Sequence, residues 1–152
     1  MKSELPKIIG HNGSYTPVPY ELQCHKVKNK LWYVSDLIKA TESLEVEERP
    51  VEDIRAVRLN LPLIKEPVTH LMLAYHMRVA AMSDMSYPII LARDGRIMDG
   101  HHRLIRALAD GIPTIKVKQF KEDPAPSKIV SDAGLESLRG LYYWDDTINE
   151  YA

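Results

Sequence analysis

The sequence predicts a single domain that combines short β-strands with α-helices. Apolar segments 87–92 and 97–98 flank the polar turn 93–96, and an Asp-Gly pair between two apolar runs is a strong signal of a β-hairpin. Residues 104–108 then place apolar side chains at helical spacing, and Gly111 is a typical helix stop. A chain of 152 residues is long enough to bury a hydrophobic core without disulfide bonds.

The first half of the chain predicts shorter elements. Residues 30–34 are aromatic and β-branched, which favours a strand. Ser35 is a suitable N-cap for a short helix over residues 36–42. Residues 44–47 alternate like a half-exposed strand, and residues 49–54 are typical of a turn.

A longer helix is predicted before the hairpin, and a strand after it. Thr69 can cap a helix over residues 70–82, in which apolar side chains form one broad stripe. Residues 112–120 alternate as a half-buried strand does. A weak helix is predicted over residues 132–139, and the aromatic group 141–144 is predicted to pack back onto the domain.

The charge distribution favours a small anionic ligand. The formal net charge of the chain is −1, which argues against a protein that coats nucleic acid. Counting Lys and Arg against Asp and Glu gives residues 85–121 a net charge of +4 and the rest of the chain −5. A basic segment of this size suits a small anion better than a long polyanion, so DNA is a disfavoured partner.

The cellular location is predicted from features that the sequence lacks. Cys24 is the only cysteine, so no internal disulfide can form and a reducing compartment is expected. No apolar segment typical of a signal peptide follows Met1. The longest helical apolar run, residues 71–75, is far too short to span a bilayer. The sequence therefore predicts a cytoplasmic protein with no membrane partner.

The most informative segment is Asp99-Gly100-His101-His102-Arg103, which lies where the second hairpin strand changes into a helix. Free backbone N–H groups and the positive end of the helix dipole meet at such a point and form an anion site. Acidic side chains are favoured at a bare helix start, so an Arg and two His there indicate a bound phosphate. Gly100 would allow close backbone approach, and Arg103 would supply a forked donor. Asp99 is the nearest carboxylate for a metal ion or a proton.

Other interpretations of the segment use fewer of its residues. His101 and His102 are adjacent on a helix and point about 100° apart, so both cannot easily bind one metal ion. His76, in the predicted helix 70–82, is not a metal-ligand candidate either and is predicted to be a partly buried hydrogen-bonding residue. Nucleophilic catalysis lacks a candidate, because Cys24 is remote in sequence. Asp99 could also serve only as a helix cap.

An acidic cluster precedes the long helix. In the simpler interpretation, these side chains form an acidic face exposed to solvent. In the alternative, one carboxylate acts as a base or magnesium ligand opposite the basic segment. The cluster comprises Glu45, Glu47, Glu48, Glu52 and Asp53.

Residues 87–91 and 94–104, followed by a Gly-ended helix and an Ile-Lys-Val strand, resemble the core of the ParB/sulfiredoxin superfamily. The strand, short helix and proline turn of residues 31–54 fit the same resemblance. The fold it implies is a small α+β domain, a mixed sheet with helices packed against it. The chain would then divide into an irregular N-terminal arm (1–26), the core domain (27–120) and a C-terminal extension packing on the core (121–152).

The resemblance implies a phosphate-binding turn that different members use differently. Sulfiredoxins have a reactive Cys where this chain has His101, so the protein is not expected to be a sulfiredoxin. Partition proteins carry a Gly-Glu-Arg-Arg version, bind CTP and continue into a helix-turn-helix domain, whereas only residues 121–152 follow the core here. Free serine kinases of the superfamily share the Asp-Gly-His-His-Arg spelling, which makes phosphotransfer from a nucleotide the closest enzymatic analogy.

Together these observations predict a nucleotide-binding domain that takes ATP, ADP or CTP with Mg²⁺. Gly100, His101, His102 and Arg103 are the predicted phosphate ligands, Asp99 is the predicted metal ligand, and Asp99 and His101 are the candidate catalytic residues. Mg-dependent hydrolysis, or phosphotransfer to a small-molecule acceptor, would be the reaction. The alternatives are a DNA-associated partition- or nuclease-like protein and a non-catalytic interaction module. The sequence predicts no oligomeric state.

Overall fold

The structure is a computed structural model that describes residues 23–62, 69–130 and 144–149. Within these ranges the chain forms three α-helices and eight β-strands, which confirms the α+β class. The strands form two four-stranded sheets, so the prediction of one small mixed sheet is wrong in number. Each sheet contains both parallel and antiparallel pairs.

The elements follow one another with short connections. In chain order they are β1 (Cys24–Val27), β2 (Lys30–Tyr33), α1 (Val34–Ala40), β3 (Glu47–Pro50), α2 (His70–Ala81), β4 (Ile89–Leu91), β5 (Ile97–Asp99), α3 (His101–Ala109), β6 (Thr114–Gln119), β7 (Lys128–Ile129) and β8 (Trp144–Asp145). Single turns of 3₁₀-helix occupy Val51–Asp53, Arg55–Arg58 and Asp146–Asn149.

The first sheet has the strand order β7-β2-β1-β8. β1 and β2 form an antiparallel hairpin, and β8 adds to β1 in parallel through His25 and Trp144. Residues 24–26 therefore belong to a strand and not to an irregular arm. This pairing brings the end of the described chain back to its beginning, and it positions Trp144 for the site described below.

The second sheet, with the order β3-β6-β4-β5, carries the main core. β4 and β5 form the antiparallel hairpin that Asp94-Gly95 predicts, and β6 lies parallel to β4. The apolar face of α3 packs against this sheet. Leu104 and Ala107 of that face are buried in the same apolar cluster as the residues of the sheet. The predicted hairpin, helix and following strand are thus confirmed.

Of the helix caps predicted at Thr69 and Ser35, the structure shows the one at Thr69. The Thr69 hydroxyl accepts a hydrogen bond from the Met72 N–H at 3.1 Å, which confirms the predicted start of α2. α1 begins at Val34 with Tyr33 as N-cap and has no side-chain cap, so the predicted Ser35 cap is wrong. The strand predicted over residues 44–47 lies further along, as β3.

That shift follows from pairing with β6. β3 is in register from Glu47 opposite Val117 to Pro50 opposite Thr114, so the first two residues of the predicted turn 49–54 are strand. The turn itself begins at Val51, whose N–H donates to the Pro113 carbonyl.

Two further predictions concern the C-terminal segment and the membrane. The weak helix over residues 132–139 lies outside the described residues. Within the described ranges, no helix is both long and apolar enough to cross a bilayer.

Candidate functional site

A cleft of about 290 Å³ opens where α2, the turn from β5 into α3, and β8 meet. All five residues of the predicted motif, 99–103, line it. The structure adds neighbours that come from distant parts of the sequence, above all His76 from α2 and Trp144 from β8. The predicted site residues therefore share one concave surface.

Gly100 is required by the fold. Its backbone has φ +108°, which is strained for any residue with a side chain. A Cβ atom at this position would lie 2.6 Å from Ile89 Cγ2 and 2.9 Å from Arg103 Nη2. Packing inside the protein thus explains this glycine, which the sequence had associated with close approach of a ligand.

The start of α3 has no side-chain cap. Gly100 is the N-cap residue, and the first turn contains no acidic side chain. Asp99 does not cap the helix, so the interpretation of Asp99 as a cap only is wrong; its carboxylate pairs with Arg103 at 3.1 Å. The N–H groups at this helix start are therefore available to an anion.

Arg103 is held in place but has donor capacity left. Its Nη2 donates to the Asp99 carboxylate at 3.1 Å and to the Pro88 carbonyl at 3.2 Å. Its Nε is buried and has no hydrogen-bond partner among the described residues. A buried donor without a partner is costly in the native state, so the donors that remain for a ligand are those of the other terminal nitrogen, Nη1.

His101 is buried against Trp144. The ring centroids lie 4.1 Å apart with planes inclined by 27°, and His101 is only 5% exposed. Burial, then the neighbouring His25, His102 and Arg103, lowers the pKa of His101 well below its usual value. Its Nε2 is buried and has no hydrogen-bond partner within the described part of the chain.

His102 bonds to His76 across the α2–α3 contact. His76 Nδ1 and His102 Nε2 are 2.7 Å apart, which fits the predicted hydrogen-bonding role of His76. Burial lowers the pKa of His76 to about 4 and that of His102 to about 3. Because both imidazoles are neutral at pH 7, they do not oppose the helix dipole. Of the three basic residues 101–103 at this helix start, only Arg103 carries a positive charge at pH 7.

Cys24 lines the same cleft although it is far from the motif in sequence. Its remoteness in sequence is therefore not a reason to exclude it. Burial raises the pKa of its thiol to about 11, so the thiol stays protonated at neutral pH. A protonated thiol is a poor nucleophile, and the structure still offers no nucleophilic cysteine.

The acidic cluster is not part of the site. None of its five residues lines the cleft, and β3, which begins with Glu47, is separated from β5 by two strands. The carboxylates that do line the cleft are Asp84 and Asp99. Hydrogen bonds from the Ser86 side chain and backbone lower the pKa of Asp84, so it is ionised at pH 7. Among the described residues, no three His, Cys, Asp or Glu side chains are grouped to hold a metal ion.

Two residues of the site were missed as ligand-site candidates by sequence reasoning. Asp84 lies in a loop with no motif around it, because the segment that resembles the superfamily begins only at Tyr87. Trp144 is the described member of the aromatic group 141–144, and its contact with His101 depends on a strand pairing that no local pattern specifies.

Comparison with known proteins gives no match, whether against family models, curated proteins or solved structures. The resemblance to the ParB/sulfiredoxin superfamily therefore stays a prediction that rests on the motif and on the order of the elements around it.

Proposed function

We propose that the cleft binds the phosphate chain of a nucleotide, ATP, ADP or CTP, at the start of α3. One observation carries this proposal. The start of α3 has no side-chain cap and no acidic residue in its first turn, and it lines the cleft together with the guanidinium-bearing Arg103 of the same turn. Uncapped N–H groups beside a cation are the donors that a phosphate needs.

The donors would serve the phosphate together. The N–H groups of the first turn supply the positive end of the helix dipole. Arg103 supplies a guanidinium charge that Asp99 and Pro88 already hold in position, so little side-chain entropy would be lost on binding.

The size and walls of the cleft suit a ligand of this class. A volume of about 290 Å³ is near the lower end of small-molecule sites, and it is enough for phosphate groups and part of the molecule that carries them. Tyr75, Tyr87 and Trp144 give the wall aromatic surface for the rest of a nucleotide.

Magnesium fits the carboxylates that line the cleft. Mg²⁺ takes oxygen ligands, usually one or two carboxylates together with phosphate oxygens. Asp99 would hold it, with Asp84 as the second acidic residue of the same wall. The ion would neutralise phosphate charge, and Asp99 would then share its carboxylate between the ion and Arg103.

Thermal unfolding tests the proposal. A ligand at about 100 times its dissociation constant stabilises the native state by about 2.7 kcal/mol, which for a chain of this length raises Tm by about 5–10 °C. We expect this shift with ATP, ADP or CTP plus MgCl₂, and its loss in Arg103→Gln. The matched control is Arg93→Gln, which removes an exposed charge outside the cleft. No shift with any of the three nucleotides would refute the proposal.

A further inference from the structure

The bond between His76 and His102 is a directed, in-plane hydrogen bond. The two ring planes differ by only 17°, and the centroids lie 5.0 Å apart. With the nitrogens 2.7 Å apart, the bond runs between the ring edges and not between stacked faces. This is the geometry in which one imidazole N–H points at the lone pair of the other.

This geometry does not fit a shared metal ion. Two zinc–nitrogen bonds of about 2.0–2.1 Å at a tetrahedral angle would hold the nitrogens about 3.3 Å apart. The observed 2.7 Å is shorter, and no third ligand group accompanies the pair among the described residues. The contact is therefore a hydrogen bond between two imidazoles, a type of bond along which a proton can pass.

The pair lies beside the proposed phosphate site. His102 is the second residue of α3, between His101 and Arg103, and both members of the pair line the cleft. Trp144 contacts both rings, with its centroid 5.3 Å from that of His102 and 5.8 Å from that of His76. The rings are thus fixed by two helices and one aromatic side chain, as a catalytic group needs to be.

We propose that His102 is the general base of this site, that His76 is the residue that positions it and takes up its proton, and that the protein transfers a phosphoryl group from a nucleoside triphosphate to the oxygen of an alcohol or of water. The proposal rests on the nucleotide site proposed above. It extends that site from binding to chemistry and assigns to His76 a role that the motif does not include.

The step can be written with its protons and electrons. His102 Nδ1, the ring nitrogen not bonded to His76, accepts the proton of the attacking O–H. The oxygen forms a bond to the γ-phosphorus, and the bond from that phosphorus to the bridging oxygen breaks, with its electron pair leaving on the β-phosphate. The proton on His102 Nε2 then passes to His76 Nδ1. The required starting tautomer has the hydrogen on His102 Nε2 and none on His76 Nδ1.

The protonation state of the pair leaves a lone pair for this role. Both imidazoles are neutral at pH 7, so His102 can accept a proton, and burial makes it a weak base before substrate binds. Arg103 of α3 is the charged group that acts on the pKa of His102, and Asp99 of β5 and Asp84, which follows α2, are the other charged residues among the described ones that line the cleft. Arg103 contributes to the low pKa of His102, so a bound phosphate that offsets its charge would raise the pKa of His102 and make it a stronger base when substrate is present.

The test measures binding and turnover in the same full-length variants. The substrates are γ-labelled ATP and CTP with MgCl₂, offered to water alone or with glycerol, ribose and threonine as alcohols. Phosphate release identifies water as the acceptor, and a labelled alcohol identifies transfer. We expect His102→Gln to lose 100-fold or more in rate with nucleotide affinity within about threefold of wild type. The matched control, His70→Gln on the exposed surface of α2, should change neither.

His76→Gln separates positioning from simple packing. Glutamine keeps a hydrogen-bonding side chain but cannot carry a proton, so we expect a lower rate and a displaced acid limb of the pH–rate profile at unchanged affinity. Nucleotide binding without phosphate release or transfer in the wild-type protein would overturn the proposal and leave the binding site standing. Full turnover in His102→Gln would also overturn it, and an absence of nucleotide binding would refute both the site and its chemistry.

Discussion

The carboxylate of Asp99 accepts a hydrogen bond from Arg103 at 3.1 Å, across the first turn of α3. The acidic residue that begins the motif therefore holds the basic residue that ends it. Both side chains are mostly buried, with 22% and 18% exposure, so the pair is only weakly screened by solvent. An anion that enters the cleft meets a guanidinium already oriented and a carboxylate that repels it.

Asp99→Asn is expected to tighten the binding of inorganic phosphate or nucleotide in the absence of Mg²⁺. The amide keeps a hydrogen bond to Arg103 but removes a negative charge beside the helix start, and a severalfold gain in affinity is expected. Isothermal titration with EDTA present measures it. Asp110→Asn, which removes the exposed acid paired with Arg106 on the same helix, is the control. Weaker binding in Asp99→Asn would contradict the assigned position of the anion.

Gly100→Ala is expected to destabilise the protein by about 2–5 kcal/mol. The left-handed backbone strain and the collision with Ile89 both contribute to that loss. Gly111→Ala is the matched control, because Gly111 also has a positive φ but a Cβ there would meet nothing within 4 Å. Its cost should be only the strain of about 1–2 kcal/mol. Urea unfolding measures both, and equal losses would show that the contact with Ile89 is relieved by a small shift.

Stability is expected to fall as the pH is lowered from 7 to 5. The folded-state pKa values of His76 and His102 are about 4 and about 3, below the unfolded value near 6.5. In this window the unfolded chain binds more protons than the native one, so acid favours unfolding. Each histidine held neutral contributes about 2 kcal/mol to the change between pH 7 and pH 5.

Urea unfolding at a series of pH values measures this dependence. His76→Gln should make the slope between pH 7 and pH 5 shallower, because one proton-binding group is removed from the unfolded chain and its buried counterpart from the native one. His70→Gln, at an exposed position of the same helix, should leave the slope nearly unchanged. A stability that is independent of pH over this range would contradict the neutral, buried state of the cluster.

Elements with strong local signals were predictable from the sequence. The Thr69 cap fixes the start of α2, and the Asp94-Gly95 turn sets the hairpin of β4 and β5, because both depend on side chains within a few residues. The motif residues 99–103 were assigned to a helix start that faces a ligand site, and the structure brings them together on one cleft.

Features set by long-range pairing were not predictable. β3 lies where β6 pairs with it, so the local alternation at residues 44–47 was misleading. The hydrogen bond between His76 and His102 joins residues 26 positions apart on two helices, and Trp144 reaches them only because β8 adds to β1. Helical periodicity identifies which side of a helix is apolar but not which residue of another helix it meets.

The most direct test of the central claim is the amide NMR spectrum of the ¹⁵N-labelled protein during titration with ATP and MgCl₂. A phosphate bound at the uncapped start of α3 should produce its largest amide shifts at residues 100–103, because their N–H groups would donate to it. The same titration of Arg103→Gln should produce much smaller shifts at these amides. Shifts confined to other parts of the protein, or none at saturating nucleotide, would contradict the assignment of residues 99–103 as a nucleotide-phosphate site.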